Sequence, residues 1–185
     1  GGSWTGSVAP TASDLAAFSS VNTASSTPVT IGNGVSFLGI VFTNNPGTNL
    51  TINAGTGGTL TLGASGINVG AAGRVLTIGS TVNLAANQVW TTGTAAAGTS
   101  QIVVNGLVSG TGSLTLNGTA GFANTPVYLN NGGNTFSGGV TLNSGAAVRF
   151  SGSAISSSGT TSSSAIGAGN LTINGGTIYG AGSFI

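Results

Sequence analysis

GGNTFSGGVTLNSGAAVRF, residues 132–150, contains a four-residue motif, Val-Thr-Leu-Asn at 140–143, that recurs along the whole chain. In this motif aliphatic residues alternate with Thr, and an Asn or a Gly follows. A period of two is typical of a β-strand, with Val140 and Leu142 on one face and Thr141 on the other. Thr suits an exposed strand position, and Asn or Gly tolerates the backbone of a turn. Each copy therefore predicts one short strand that ends in a corner.

Nine copies of the motif are spread over the chain. They are VTIG at 29–32, LTIN at 50–53, LTLG at 60–63, LTIG at 76–79, VNLA at 82–85, LTLN at 114–117, VYLN at 127–130, VTLN at 140–143 and LTIN at 171–174. Further strand-like runs lie between them at 35–42, 88–91 and 101–108. Such short strands favour a parallel β-helix, whose turns stack about 4.8 Å apart. At roughly 20–25 residues per turn, we expect about seven to nine coils and a length of about 40 Å.

The alternative fold is an antiparallel β-sandwich. Asn-Gly is a strong signal for a two-residue hairpin, and the chain has five such pairs. They are Asn33-Gly34, Asn105-Gly106, Asn117-Gly118, Asn131-Gly132 and Asn174-Gly175. Most of the predicted strands are shorter than sandwich strands, however, and stacked Asn side chains can also hydrogen-bond along a β-helix at its corners. We therefore favour an all-β parallel β-helix and keep the sandwich as the alternative.

The chain is expected to form a single domain over residues 1–185. Residues 1–28 are interpreted as an N-terminal segment that leads into the β-helix and caps it. Within this segment, residues 11–18 are predicted to form one helical turn, with Ser13 or Asp14 as the N-cap. The stretch SGSAISSSGTTSSSAIGAG at 151–169 has low complexity and is predicted to be a protruding loop.

The composition leaves little material for catalysis. Asp14, Arg74 and Arg149 are the only charged side chains, and the chain has no His, Cys, Glu or Lys. General acid–base catalysis and the activation of a nucleophile need such groups. A pair of carboxylates for glycoside hydrolysis and ligand sets for zinc or calcium are missing too. We therefore expect no enzymatic activity, no catalytic residue, no cofactor and no metal.

The net charge of +1 gives no electrostatic footprint for nucleic acid or for an anionic membrane. The longest apolar run, at 35–42, is too short to span a bilayer. Asp14 is interpreted as a turn residue, and Arg149 should point outward on its strand. Four aromatic residues are candidates for a sugar-stacking platform, but their spread along the chain favours packing in the core or at an end. They are Trp4, Trp90, Tyr128 and Tyr179.

Residues 132–150 and 164–178 resemble the autotransporter-associated β-strand repeat, and residues 108–122 are similar to the segment that precedes such a repeat. The run that carries the resemblance is Asn134, Thr135, Phe136, Ser137, Gly138, Gly139, Val140, Thr141 and Leu142. The resemblance implies a right-handed parallel β-helix in an exported bacterial protein, either extracellular or at the cell surface, with no catalytic residues. The chain is shorter than usual for the family and poorer in Asp and Lys. The start, GGSW, has no signal-peptide pattern, which suggests that a signal peptide was removed or that the chain is a fragment.

We predict a non-enzymatic structural protein, a subunit of an extracellular or cell-surface fibre built by end-to-end contacts between copies or neighbouring repeats. The ends of a β-helix expose unpaired backbone groups, and near-zero charge lowers the repulsion between copies. The candidate assembly ends are Trp4, Phe18, Tyr179, Phe184 and Ile185. The alternative is a fragment of a long autotransporter-like adhesin stalk. A surface that recognises ice or glycans is a third hypothesis, which the uneven spacing of Thr disfavours.

Overall fold

The structure is a computed structural model that describes residues 8, 10–19, 28–32, 34–43, 48–55, 57–70, 73–95, 98–118, 125–151, 155–157 and 160–180. These residues form short strands joined by corners, with no helix among them. The strands are β1 (Leu15–Phe18), β2 (Val29–Ile31), β3 (Val35–Phe42), β4 (Leu50–Ala54), β5 (Thr59–Asn68), β6 (Val75–Ile78), β7 (Thr81–Leu84), β8 (Gln88–Thr91), β9 (Gly93–Ala95), β10 (Gly98–Val104), β11 (Val108–Gly110), β12 (Leu114–Asn117), β13 (Val127–Leu129), β14 (Val140–Asn143), β15 (Ala147–Phe150), β16 (Ile155–Ser157), β17 (Thr160–Ser163), β18 (Leu171–Asn174) and β19 (Thr177–Gly180).

The strands build a solenoid with three faces. Face A is the ladder β1-β3-β5-β8-β12-β14-β18, and face B is the ladder β2-β4-β6-β10-β13-β15-β19. Face C consists of the first halves of β3 and β5, followed by β7 and β11. Strand β5 belongs to two faces because residues 59–62 pair with β7 and residues 67–68 pair with β8. Every ladder that joins successive turns is parallel among the described residues, as the motif spacing predicts.

Each turn of the solenoid places one residue at the same position of a face, directly beside its counterpart in the previous turn. On face B, Leu50 pairs with Leu76, which in turn pairs with Ile102. Faces A and B hold seven strands each, so about five inner turns have neighbours on both sides and lie between two end layers. The parallel β-helix is thus confirmed, with slightly fewer complete turns than the seven to nine coils predicted. Two antiparallel hairpins among the described residues account for part of the difference, because their residues lie outside the parallel stack. One joins β9 to residues 98–100 of β10, and the other is β16–β17.

All nine copies of the four-residue motif lie on strands, four on face B, three on face A and two on face C. The antiparallel sandwich is therefore wrong, although the four Asn-Gly pairs that lie wholly within the described residues do mark strand ends or turns. Asn174-Gly175, for example, connects β18 on face A with β19 on face B rather than two strands of a hairpin. Asn33, of the fifth pair, lies outside the described residues. The glycine pair 138–139 of the opening stretch has a steric role. A Cβ on Gly138 would clash with the backbone of the preceding turn, and Gly139 has a φ of +81°, which favours glycine.

The core is a set of side-chain rows that run along the solenoid axis. On face A one row consists of Ala16, Ile40, Ile67, Trp90, Leu116, Leu142 and Ile173. Phe136 lies between strands β13 and β14 and is fully buried. Gln88 is a buried polar exception. Its Nε2 donates to the carbonyl of Leu62 at 2.7 Å, and its Oε1 accepts from Trp90 Nε1 at 2.9 Å.

Two local predictions need correction. Residues 11–18 do not form a helical turn. Residues 11–14 form a tight turn and β1 follows, because Leu15–Phe18 pairs along its whole length with β3. The predicted run 101–108 is divided by a corner at 105–107, so that its last residue begins β11 on face C.

The low-complexity stretch 151–169 contains the hairpin β16–β17, and residues 163–165 rejoin the buried core.

Candidate functional site

Two features of the solenoid are candidates for function, an outward row of side chains on face B and the two end layers. Both depend on how firmly the turns are aligned. Stacked asparagine side chains fix this alignment at the corners, as the sequence predicts. Asn143 Nδ2 donates to Asn117 Oδ1 at 2.8 Å, and Asn174 Nδ2 donates to Asn143 Oδ1 at 3.2 Å. Each bond links one turn to the next.

The outward row on face B brings together three residues that are far apart in the sequence. Tyr128 pairs with Arg149, and Arg149 pairs with Tyr179, on the neighbouring strands β13, β15 and β19. Arg149 is exposed, and the two tyrosines are partly buried. The guanidinium carbon of Arg149 lies 5.8 Å from the centroid of the Tyr128 ring, a distance at which the cation is attracted to the ring. We call these three residues the Tyr-Arg-Tyr row.

A polar ladder runs beside the Tyr-Arg-Tyr row. Asn130 and Ser151 follow β13 and β15, two positions after Tyr128 and Arg149. Asn130 Nδ2 donates to Asn105 Oδ1 at 2.9 Å, and Ser151 Oγ donates to Asn130 Oδ1 at 3.1 Å. The amide groups are therefore held in place next to the aromatic rings, and both asparagines are exposed to solvent.

The two end layers differ in the exposure of their inward side chains. In the first layer, Ala16 is fully buried, and Phe18 is 7% exposed and contacts Phe42 edge to face, with ring centroids 6.0 Å apart. In the last layer, Ile173 is 55% exposed although it occupies the same core row as Ala16. Leu171 and Ile178 in that layer are half-buried. The C-terminal layer thus presents apolar side chains to solvent, and we call Leu171, Ile173 and Ile178 the C-terminal end face.

The predicted assembly residues fall in different places. Phe18 lies in β1 at the first layer, and Tyr179 lies in β19 at the last layer. Trp4, Phe184 and Ile185 lie outside the described residues. Among the aromatic candidates, Trp90 is buried in the core, as predicted. For Tyr128 the preference for core or end packing is wrong, because its ring is on the outward side of face B. The exposure of Ile173 was missed, since its motif is indistinguishable from those of inner turns.

The charged residues also have defined places. Asp14 accepts hydrogen bonds from Thr11, at 2.7 Å from Oγ1 and at 2.9 Å from the backbone N–H. These bonds lower the pKa of the Asp14 carboxyl from its ordinary value of 3.8, and they confirm that the residue stabilises a turn. Arg149 points outward, as predicted. Arg74 Nη1 donates to the carbonyl of Gly73 at 3.0 Å.

Among the described residues, no group of three His, Cys, Asp or Glu side chains could hold a metal ion. In the same part of the chain, no helix is long and apolar enough to span a bilayer. No protein family, curated protein or solved structure matches this sequence. The class that the structure defines is therefore the parallel β-solenoid, and any narrower assignment depends on the two surfaces described above.

Proposed function

We propose that this chain is a non-enzymatic structural subunit that assembles end to end into an extracellular or cell-surface fibre. The observation that carries the proposal is the exposure of Ile173. The six residues before it in its core row are at most 1% exposed, whereas Ile173 is 55% exposed. The strand β18 has the alternation of an inner turn. Another layer stacked on β18 would cover Ile173 in the same way that β18 covers Leu142 of β14.

A second copy of the chain is the occupant that we propose for the C-terminal end face. Among the described residues, β18 and β19 each pair with only one strand, so each leaves an edge that a strand from another copy can extend. With a net charge of +1, the chain offers little electrostatic repulsion between copies. A contact between the last layer of one copy and the first layer of the next does not close on itself, so repetition yields a filament.

The localisation and the family are part of the same proposal. A bacterial origin and export to the cell surface are supported by the resemblance of residues 132–150 and 164–178 to the autotransporter-associated repeat. The scarcity of charged side chains, and the lack of His or Lys to activate a serine hydroxyl, support a structural role over an enzymatic one.

The test compares two substitutions that place the same charge on an exposed aliphatic residue. Ile173→Lys alters the C-terminal end face, and Val89→Lys alters a residue that is 43% exposed on the side of face A. Sedimentation velocity and electron microscopy are applied to both variants and to the unchanged chain over the micromolar range. We expect linear assemblies from the unchanged chain and from Val89→Lys, and monomers from Ile173→Lys. The assembly should change little with salt, because few charges are involved.

Two outcomes would contradict the fibre. One is a stable monomer of 17.5 kDa at every concentration, and the other is an equal loss of assembly in both variants. A stable monomer would favour the alternative, in which the chain is part of a long adhesin stalk and the next turn of the same polypeptide covers Ile173. Hydrogen exchange on a longer chain would then show protection of the amides of β18.

A further inference from the structure

The Tyr-Arg-Tyr row occupies one line along the outside of face B. Its three residues lie on adjacent parallel strands, so the line runs along the solenoid axis and crosses three turns. With about 4.8 Å between neighbouring strands, Tyr128 and Tyr179 are about 10 Å apart. The row is therefore long enough to contact a linear ligand at more than one of its units.

The chemistry of the row is mixed. Each tyrosine offers an apolar ring and a hydroxyl, and Arg149 offers a planar fork of N–H donors that matches a carboxylate. Among the described residues, the Arg149 guanidinium makes no hydrogen bond or ion pair, and its contact is the ring of Tyr128. The single acidic side chain of the chain, Asp14, lies in the turn before β1 and is bonded to Thr11. The charge of Arg149 is thus not neutralised by a carboxylate side chain.

The polar ladder beside the row adds amide groups in fixed positions. Asn105 and Asn130 are held by the bond between their side chains, and both are exposed. Hydrogen-bonding groups that are already ordered bind a ligand with a smaller entropic cost. These groups together match the chemistry of an acidic sugar. The aromatic rings suit the apolar faces of pyranoses, the amides suit the hydroxyls, and the guanidinium suits a carboxylate.

We propose that the Tyr-Arg-Tyr row and Asn130 form a binding site for a linear saccharide that bears carboxylate groups. Rings of the saccharide stack on Tyr128 and Tyr179, and Arg149 forms a bidentate pair with one carboxylate. Nucleic acid fits less well, because binding to a phosphate backbone requires several cations and the row supplies one. The site is on the side of the solenoid, so it does not depend on assembly through the C-terminal end face.

The experiment measures binding of oligogalacturonate to the full chain by calorimetry, with the tyrosine ring signals followed by NMR. The methyl ester of the same oligosaccharide is the neutral probe. We expect the free acid to bind at least about tenfold more tightly than the ester, since the ester loses a charge-assisted hydrogen bond. Arg149→Gln should abolish this preference. Arg149→Lys should restore only part of it, because lysine keeps the charge without the bidentate fork.

Matched controls separate the site from general charge effects. Arg74→Gln makes the same change in net charge on the other cation, and it should leave the affinity within about twofold of that of the unchanged chain. Tyr179→Thr should weaken binding of both probes several-fold, because it removes a stacking surface. Circular dichroism and the unfolding midpoint check that each variant remains folded. The proposal is overturned if the unchanged chain binds neither probe, if it binds acid and ester equally, or if Arg74→Gln weakens binding as much as Arg149→Gln.

Discussion

The inner turns and the last layer of the solenoid carry nearly the same sequence motif and have different environments. LTLN at 114–117, VTLN at 140–143 and LTIN at 171–174 pair residue by residue on face A. Leu116 and Leu142 are fully buried, whereas Ile173 is 55% exposed. The motif therefore determines which way a side chain points, and the presence of a following layer determines whether it is buried. An aliphatic side chain should therefore contribute more to the free energy of unfolding in an inner turn than in the last layer of the same row.

The largest contrast is expected between truncations in this row. Leu116→Ala removes a side chain that is enclosed by turns on both sides, and it should lower the free energy of unfolding by about 2–5 kcal/mol. Ile173→Ala at the exposed end should lower it by less than about 1 kcal/mol in the monomer. Chemical denaturation of both variants at low concentration measures the difference. Equal losses would mean that the last layer is covered in the monomer.

A second contrast lies within the inner turns. Gln88 occupies the same row as Leu114 and Val140, although it is polar. Gln88→Leu roughly keeps the volume and makes the row uniformly apolar. It leaves the buried Nε1 of Trp90 without its partner, whereas the carbonyl of Leu62 keeps the hydrogen bond that it accepts from the backbone N–H of Ala85 at 3.0 Å. We expect a loss of about 1–3 kcal/mol by chemical denaturation, from the cost of burying one unsatisfied donor, Trp90 Nε1. Trp90 fluorescence should report the change locally. A gain in stability would show that apolar packing outweighs the two hydrogen bonds.

The asparagine ladder allows an inner turn to be compared with the last layer, and the expected difference in stability is smaller. Asn143 both donates and accepts in the ladder, whereas Asn174 donates to Asn143. Asn143→Ala breaks two inter-turn bonds and should cost about 1–2 kcal/mol, and Asn174→Ala breaks one and should cost about half as much. Thermal unfolding of the two variants measures the ratio. If the loss for Asn174→Ala matched or exceeded that for Asn143→Ala, the ladder would not be additive along the axis.

The strands and their inward faces could be predicted from the sequence because the period-two motif is local. The register between neighbouring strands could not be predicted from the sequence. Tyr128 and Arg149 are 21 residues apart and Arg149 and Tyr179 are 30 apart, yet each pair lies on neighbouring strands. The lengths of the corners vary from turn to turn, and the hairpin β16–β17 adds residues between β15 and β18. A sequence without a strict period does not reveal these lengths, so the Tyr-Arg-Tyr row appears only in three dimensions.

The start of the chain illustrates a different limit. LAAF at 15–18 has the alternation of a strand, but with two alanines and a polar residue before it the stretch also suits a helical turn. The choice is made by β3, whose edge accepts β1 from Leu15 to Phe18 in register. Burial of Ala16 and Phe18 against this neighbour then outweighs the local preference. Tertiary pairing of this kind cannot be predicted from a window of eight residues.

The smallest expected effect concerns Asp14 in the turn before the first layer. The hydrogen bonds from Thr11 lower the pKa of its carboxyl in the folded state. A lowered pKa means that the ionised form stabilises the fold at pH values above the ordinary value of 3.8, and that this contribution is lost as the pH falls through the folded-state pKa. The unfolding midpoint should therefore be level between about pH 5 and pH 7 and should decline slightly at lower pH.

Asp14→Asn is the matched variant, because asparagine keeps the size and can still accept a hydrogen bond. The difference in unfolding midpoint between the two proteins isolates Asp14 from the terminal carboxylate, which titrates in both. We expect this difference to shrink as the pH is lowered below about 4, since protonation makes aspartate resemble the neutral variant. The effect is small because the carboxylate is exposed and solvent screens it. A difference that stayed constant, or that grew toward acid pH, would show that the Thr11 hydrogen bonds do not favour the ionised carboxylate.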